Sequence, residues 1–255
     1  MTWNPETYLA FADYRERPIA ELVNRIPPIE VARAVDLGCG TGNSTAAIAK
    51  RFPSAALTGV DNSPQMLAKA KKDLPSATWI LADISEWNAP QVFDLILSNA
   101  ALHWVPGHDE LFARLLNALN AGGALAVQMP RNFIAPSHML LFETAKDGPW
   151  AGKVGDLKPF APMDPASAYY DRIAPHVRHF DMWETTYYQV LEGEDAVFNW
   201  VSGSALTAYL PKLEEGAERD AFCEAYKARL RKAYPKSDDG KTLFPFTRLF
   251  MVAVK

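Results

Sequence analysis

Cysteine is scarce in this chain: two in 255 residues, Cys39 and Cys223. They lie far apart without metal-ligand spacing, which argues against a disulfide framework or a cysteine-bound metal and for a reduced protein. The five histidines (His103, His108, His138, His176 and His179) form no ligand cluster, so no metal is expected. Basic residues are not in excess. Lys and Arg number 26 against 30 Asp and Glu, a formal charge of −4, unlike the basic footprint of a nucleic-acid binder. An anionic small ligand would have to be drawn by a local basic pocket. No apolar run reaches the ~20 residues of a membrane span. The start, Met1-Thr2-Trp3-Asn4-Pro5-Glu6, lacks a basic region followed by an apolar one, so a cytoplasmic protein is expected rather than a secreted one. Internal repeats and low-complexity tracts are missing too. What remains is an ordinary globular balance, 49% hydrophobic and 22% charged, enough for one large α/β domain or a core with a cap.

The informative stretch is Val35-Asp36-Leu37-Gly38-Cys39-Gly40-Thr41-Gly42-Asn43. A short apolar run, Ala34 to Leu37, leads into three alternating glycines, and a helical pattern, Ser44 to Arg51, begins at once. Glycine is needed where φ turns positive or where a ligand must approach bare backbone, so the alternation suggests a cofactor lying on the loop. The spacing is one residue short of the dinucleotide fingerprint, and the Gly-Lys-Ser/Thr ending of a P-loop is missing. A second strand, Ala56 to Asp61, also ends in an acid. A carboxylate there, ~20 residues past the glycines, can accept from both ribose hydroxyls. Asn62-Ser63-Pro64-Gln65-Met66 then opens a helix, with Ser63 as cap and Pro64 in its first turn.

Strand and helix continue to alternate. Strands are expected at Ala34–Leu37, Leu57–Asp61, Thr78–Leu81, Asp94–Ser98 and Ala124–Met129, and helices at Ser44–Arg51, Pro64–Leu74 and His108–Leu119. This predicts a doubly wound, mostly parallel α/β sheet covered on both faces. Ligands then bind beyond the carboxyl ends of the strands, where Asp36, Asp61, Asp83 and Asn99 fall. Two helices are expected before the first strand, one through Tyr8, Leu9 and Phe11 and one from Pro18 to Arg25, joined by Asp13 to Pro18 and forming a lid. Past Met129 the alternation stops. A long loop is expected over 147–165, then a helix at Ala166–Ile173, an extended segment at Arg178–Leu191, helices at Ala196–Ser204 and Glu214–Tyr234, and a closing strand at Leu249–Val254.

The segment Asp36-Leu37-Gly38-Cys39-Gly40-Thr41-Gly42 closely resembles the first motif of class I S-adenosylmethionine-dependent methyltransferases. The resemblance implies a Rossmann-like sheet of seven strands, the last antiparallel, and S-adenosylmethionine as cofactor. It implies that Asp36, Gly38, Gly40, Gly42 and Asn43 line the methionine end. Asp61 would hold the ribose, with Asn62 and Met66 flanking the adenine. Asp83 and Ile84 would meet the adenine edge, and Asn99 and Trp104 would lie along the cofactor toward the acceptor. His103 is the weak candidate for a general base, since imidazole titrates near about 6.5. The fourth strand is not followed by the acidic trio of metal-dependent catechol methylators or by the proline motif of adenine N6-methylators. The Pro-Cys nucleophile of cytosine C5 enzymes is absent as well. A small-molecule acceptor remains.

Flanking segments sharpen this. Trp3-Asn4-Pro5 with Tyr8-Leu9, Arg15 to Pro18, Ser44-Thr45, Gln128-Met129-Pro130, Thr185-Thr186-Tyr187-Tyr188 and Arg248-Leu249-Phe250 together resemble the trans-aconitate 2-methyltransferase family over nearly the whole chain. That family esterifies one carboxylate of a tricarboxylic acid. Arginine suits such a ligand, because its planar fork binds carboxylates bidentately. Tyr8, Arg15, Arg17, Arg131, Tyr170 and Arg248 are the substrate-side candidates. A carboxylate is already ionised at neutral pH, so no base is required. The expected organisation is lid helices over 1–30, a cofactor-binding core over 31–133, and a substrate-side loop, helix and sixth strand over 134–192. An α-helical cap follows over 193–241, inserted before the last strand at 242–255. A monomer is plausible. A quinone or phenol methylator is the alternative, with His103 then active and the arginines idle. A silent S-adenosylmethionine-binding module is a further one.

Overall fold

The computed structural model describes residues 12–157, 163–203 and 205–255, with side chains described from residue 16 onward. Tyr8 and the helix expected through it lie outside the described residues, as does the Arg15 side chain.

The first described helix, α1 (Ala12–Arg25), is continuous through Pro18, so the expected joint at Asp13 to Pro18 is helical. Its apolar stripe explains why. Ile19, Leu22, Val23 and Ile26 recur at helical spacing and are buried, and packing of such a face outweighs a local proline signal. The alternating block then follows: β1 (Arg33–Leu37), α2 (Asn43–Arg51), β2 (Ala56–Asp61), α3 (Pro64–Asp73), β3 (Thr78–Leu81), β4 (Phe93–Asn99), α4 (His108–Asn117) and β5 (Leu119–Pro130). Ser63 caps α3 by accepting from Met66 N–H at 3.3 Å, with Pro64 in the first turn.

The rest runs α5 (Pro136–Lys146), α6 (Ala151–Val154), α7 (Ala166–Ile173), β6 (His179–Leu191), α8 (Ala196–Ser202), α9 (Ala217–Ala233) and β7 (Thr242–Val254). Helix α5 was not expected. The last strand begins seven residues before its expected start at Leu249. Pro245 disguises its first half, which alternates buried and exposed positions as a strand covered on one face does.

The seven strands form one sheet in the order β3-β2-β1-β4-β5-β7-β6. β1, β2, β3, β4 and β5 pair in parallel, and β7 runs antiparallel to β5. β1 and β4 are almost wholly buried, as parallel strands covered on both faces must be.

The chain divides into two compact units, one comprising Asp13–Pro130, Asp164–Thr185 and Arg248–Lys255, the other comprising Arg131–Met163 and Thr186–Thr247. The divisions fall inside β6 and β7. The first unit, the core, is built on aliphatic strands, with Val35, Leu37, Leu95, Ile96, Leu97 and Val127 fully buried or nearly so. The second, the cap, is built on aromatic rings. Trp150 meets Phe222 edge-on at 5.3 Å, Tyr209 stacks on Phe222 at 6.1 Å, and Tyr234 meets Phe244 at 5.3 Å. Its polar centre is Ser137, whose N–H donates to Tyr234 Oη at 3.0 Å and whose carbonyl accepts from Tyr226 Oη at 2.6 Å. No helix among the described residues is long and apolar enough to cross a membrane.

Candidate active site

The site grows from the loop between β1 and α2. Gly38, Gly40 and Gly42 all have positive φ, at 72°, 53° and 88°. Their missing side chains serve different ends. A Cβ on Gly38 would lie 2.1 Å from Ala101 Cβ, and one on Gly42 would lie 3.1 Å from Trp79 and 3.2 Å from Ala70. At Gly40 the only neighbour among the described residues is Met66 Sδ at 3.6 Å. An added side chain would thus meet protein at Gly38 and Gly42, while at Gly40 the described residues stand no closer than ordinary contact.

Two acids hold this loop from opposite sides. Asp61, at the end of β2, accepts from Gly40 N–H and Ser63 N–H, each at 2.9 Å. A carboxylate has about four acceptor positions, so it keeps capacity for ligand hydroxyls. Asp36 behaves differently. It is wholly buried, and its Oδ2 accepts from Ser44 Oγ at 2.7 Å and Thr45 Oγ1 at 2.6 Å. Burial pushes its pKa up to about 6, against the two hydroxyls and with a smaller push from Asp61. Its carboxylate thus braces β1 against α2. Two hydroxyls in the first turn after a strand-end acid were the signal for this.

Further along the sheet edge, Asp83 accepts from Ser85 N–H at 2.8 Å and Ser85 Oγ at 2.7 Å. These bonds, with a smaller one from Asn62, hold its carboxyl below the usual range, so Asn62 and Asp83 are brought together across the ends of β2 and β3. Ile84 is fixed by Arg114, which donates to its carbonyl at 2.9 Å. Asn43 is exposed at the head of α2 and accepts from Thr41 Oγ1 at 2.9 Å. Past β4, Ser98 Oγ donates to Leu37 O at 2.8 Å, locking β4 to the root of the glycine loop. Asn99 Oδ1 is buried without a hydrogen-bond partner. Ala100 has φ of 55°, the only non-glycine among the described residues with positive φ, and such strain gathers at functional sites. A turn over Leu102–Trp104 follows, with His103 and Trp104 rings 4.7 Å apart and Trp104 54% exposed.

The substrate-side candidates scatter more widely. Arg248, on β7, is buried, pairs across the sheet with Pro130, and donates from Nη1 to Gln128 Oε1 at 3.1 Å. Arg131 is half-buried at the end of β5, where its N–H donates to Thr247 O at 2.9 Å. Arg17 is exposed. On the same helix Arg25 bonds Asp181 at 2.6 Å, and Glu21 accepts from Trp183 at 2.7 Å and Thr185 at 2.6 Å. One turn further along, Arg17 therefore lies nearer the carboxyl ends of the strands. Tyr170 lies elsewhere. Its ring is 6.0 Å from Phe180, beside Arg178, whose N–H bonds Val254 O at 2.9 Å. Val254 pairs with Ala124, and Ala124 with Leu95 at the start of β4. That is the amino end of the sheet, so the structure does not bring Tyr170 together with Arg248, which pairs with Pro130 at the carboxyl end. The helical pattern placed Tyr169 and Tyr170 together but could not say which end of the sheet they reach. Among the described residues no group of three or more His, Cys, Asp or Glu could hold a metal.

The core residues suit S-adenosylmethionine on their own geometry. Gly40 admits close backbone approach, Asp61 retains acceptor capacity for a diol, and Asn99 carries a buried acceptor awaiting a donor.

Comparison with known proteins agrees. Residues 34–123 match the family model described as a methyltransferase domain. The chain is 46% identical over 254 residues to the trans-aconitate 2-methyltransferase of Azoarcus sp. strain BH72, covering 100% of this chain and 99% of that protein. It is 43% identical over 258 residues to the protein of the same name from Variovorax paradoxus strain S110, covering 100% and 99%. Among solved structures, the YcgJ protein of Bacillus subtilis superposes with a TM-score of 0.61 at 11% identity, covering 94% of this chain and 98% of that one. At that identity the likeness speaks for the fold alone.

Proposed function

The chain belongs to the trans-aconitate 2-methyltransferases, within the S-adenosylmethionine-dependent class, and from that membership we propose that it esterifies one carboxylate of trans-aconitate, leaving the monomethyl ester and S-adenosylhomocysteine. When bound, S-adenosylmethionine supplies an electrophilic methyl group on a sulfonium sulfur. The protein's part is binding and alignment. Asp61 would accept from the ribose hydroxyls, Asn62 and Met66 would flank the adenine with Asp83 and Ile84 at its edge, and Gly40 would let the methionine end lie on backbone.

The observation that carries the acceptor half is Arg248, an arginine buried inside a sheet strand beside Gln128. Sheet interiors rarely hold a cation without use for its charge. Arg248 and Arg17 would bind the acceptor's carboxylates and orient one oxygen for in-line attack, and alignment of this kind supplies much of a transfer rate. With carboxylates ionised above about pH 5, no base is needed, and His103 and Trp104 shape the cleft. A small polycarboxylate is the partner this reading requires. A reducing cytoplasm suits Cys39 and Cys223, both free thiols.

Methyl-labelled cofactor tests the reading. Label should pass to trans-aconitate as a base-labile ester, in wild type and in His103→Gln alike. Label passing to a phenol and not to the tricarboxylate would replace this acceptor with a phenolic one.

A further inference from the structure

His108 has no role in the binding scheme above, yet both nitrogens of its ring are engaged. Nε2 lies 3.0 Å from Leu102 O, and Nδ1 lies 2.8 Å from Tyr169 Oη. All three residues belong to the core unit. A carbonyl only accepts, so Nε2 carries a proton and donates to Leu102. In the neutral ring Nδ1 then accepts, and the buried Tyr169 hydroxyl donates to it. The bonds run in one direction, from α7 through the head of α4 to the turn that follows β4.

That turn has little of its own to hold it. It is one short 3-10 piece, Leu102–Trp104, with Trp104 N–H bonded to Ala101 O at 3.0 Å and Val105 N–H to Leu102 O at 2.9 Å, and such pieces have poor hydrogen-bond geometry. Its near end is fixed by Ala100 N–H, which donates to Gln128 O at 2.9 Å. His108 fixes the other. Between these anchors Ala101 fills the space beside Gly38, and Trp104 stands exposed past the carboxyl end of β4, where ligands of such sheets bind. The His108 ring is itself confined. It lies 5.6 Å from the rings of Phe112 and Tyr169, which meet each other at 5.6 Å. Arg172 covers Tyr169 at 5.2 Å while bonding Asp109 at 2.6 Å. Two apolar side chains of the same shape would be nearly as stable here. What the polar chain adds is a fixed place for the turn.

Resting on the functional reading above, we propose that His108, oriented by Tyr169, is a positioning residue for methyl transfer: it fixes the Leu102–Trp104 turn so that His103 and Trp104 keep the acceptor carboxylate in line with the methyl group.

The test compares wild type with His108→Leu, His108→Gln and Tyr169→Phe, each well below its melting temperature. Hydrogen exchange at the Trp104 and Val105 amides is read without ligands. Transfer to trans-aconitate and S-adenosylhomocysteine affinity are measured separately. In His108→Leu exchange at both amides should quicken by about tenfold, the scale of losing one hydrogen bond. Its kcat should fall by about tenfold or more, since displacing the reacting groups by about 1 Å can cost about a hundredfold. Tyr169→Phe leaves the ring free to carry its proton on Nδ1 and should lower kcat several-fold. His108→Gln, whose amide offers both a donor and an acceptor, should recover to within about threefold of wild type. S-adenosylhomocysteine affinity should stay at the wild-type value in all three. A merely structural chain would lower the melting temperature and leave kcat unmoved, and that result overturns the proposal. So does unchanged exchange in His108→Leu, or a kcat in His108→Gln no better than in His108→Leu. If His108→Leu fails to fold, Tyr169→Phe decides by the same two readouts. Wild type that transfers no methyl to trans-aconitate would remove the functional reading; quickened exchange would then leave the hold of His108 on the turn standing, and unchanged exchange would remove both.

Discussion

The core and the cap bury polar groups for different purposes. In the core, buried and half-buried polar side chains act on backbone: Asp61 on Gly40 and Ser63, Ser98 on Leu37, Asp94 on the N–H groups of Ala32 and Arg33 at 3.0 and 2.9 Å. Each fixes where one strand end stands. In the cap, Tyr226, Tyr234 and Ser137 tie helices into an aromatic cluster, and ion pairs such as Lys153 with Glu214 and Glu218 lie at the rim. The core spends its polar groups on fixing strand ends and the glycine loop, the cap on holding its helices together. Each unit also buries a group whose titration burial shifts within the mildly acidic range, Asp36 upward in the core and His138 downward in the cap.

The sharpest break of this comparison is inside the glycine loop. Gly38→Ala should destabilise the core by about 3 kcal/mol or more, combining overpacking with positive φ, because its Cβ would lie 2.1 Å from Ala101 Cβ. Gly40→Ala should cost only the ~1–2 kcal/mol of positive φ and weaken S-adenosylmethionine binding instead. Thermal melts and calorimetry separate the two. Equal melting losses would mean that Gly40 is as packed as Gly38.

Next in size is a pair of opposed pH effects. Asp36 has its pKa raised from 3.8 to about 6, so the folded core binds the extra proton and stability falls as pH rises across that window, by about 3 kcal/mol. His138 in the cap has its pKa lowered by burial from 6.5 to about 4, so stability rises with pH across nearly the same window by about the same amount. Wild type should therefore show a flattened profile between pH 4 and 6.5. Asp36→Asn should unmask a rise with pH, and His138→Gln a fall. Slopes unchanged by both substitutions would contradict the assignment.

Tyr226→Phe should cost about 1–2 kcal/mol by stripping Ser137 O of its buried donor. The loss should appear as faster hydrogen exchange in α5 and α9, with cofactor affinity untouched. Smallest of all, Lys153→Met should leave the melting temperature unchanged within error, since exposed ion pairs contribute little. A clear loss would show the rim to be structural.

Legibility in the sequence followed the same division. In the core, motif spacing located Asp61, Asp83 and Asn99 at or just past strand ends, because a parallel strand must be apolar and its polar residues must follow it at once; that Asn62 meets Asp83 was not legible. What spacing could not tell was that Gly38 and Gly42 are emptied for Ala101 and Trp79, or that Asp36 turns inward to Ser44 and Thr45. Those depend on neighbours distant in sequence. In the cap, α5 went unseen and β7 was expected only from Leu249, past Pro245, since aromatic packing leaves no clean period. The position of Tyr170 was illegible for a related reason: helix pattern gives a face but not an end of the sheet. Gln128 passed as part of a resemblance, and only the cross-strand register exposed its bond to Arg248.

The most direct test of the whole account is a single turnover. S-adenosylmethionine is bound to the protein in equal amount, trans-aconitate is added, and the acid pool is analysed by mass spectrometry. The expected result is one methyl gained by the tricarboxylate, as an ester, for each S-adenosylhomocysteine formed. Bound S-adenosylmethionine that stays intact beside unmodified trans-aconitate would contradict it.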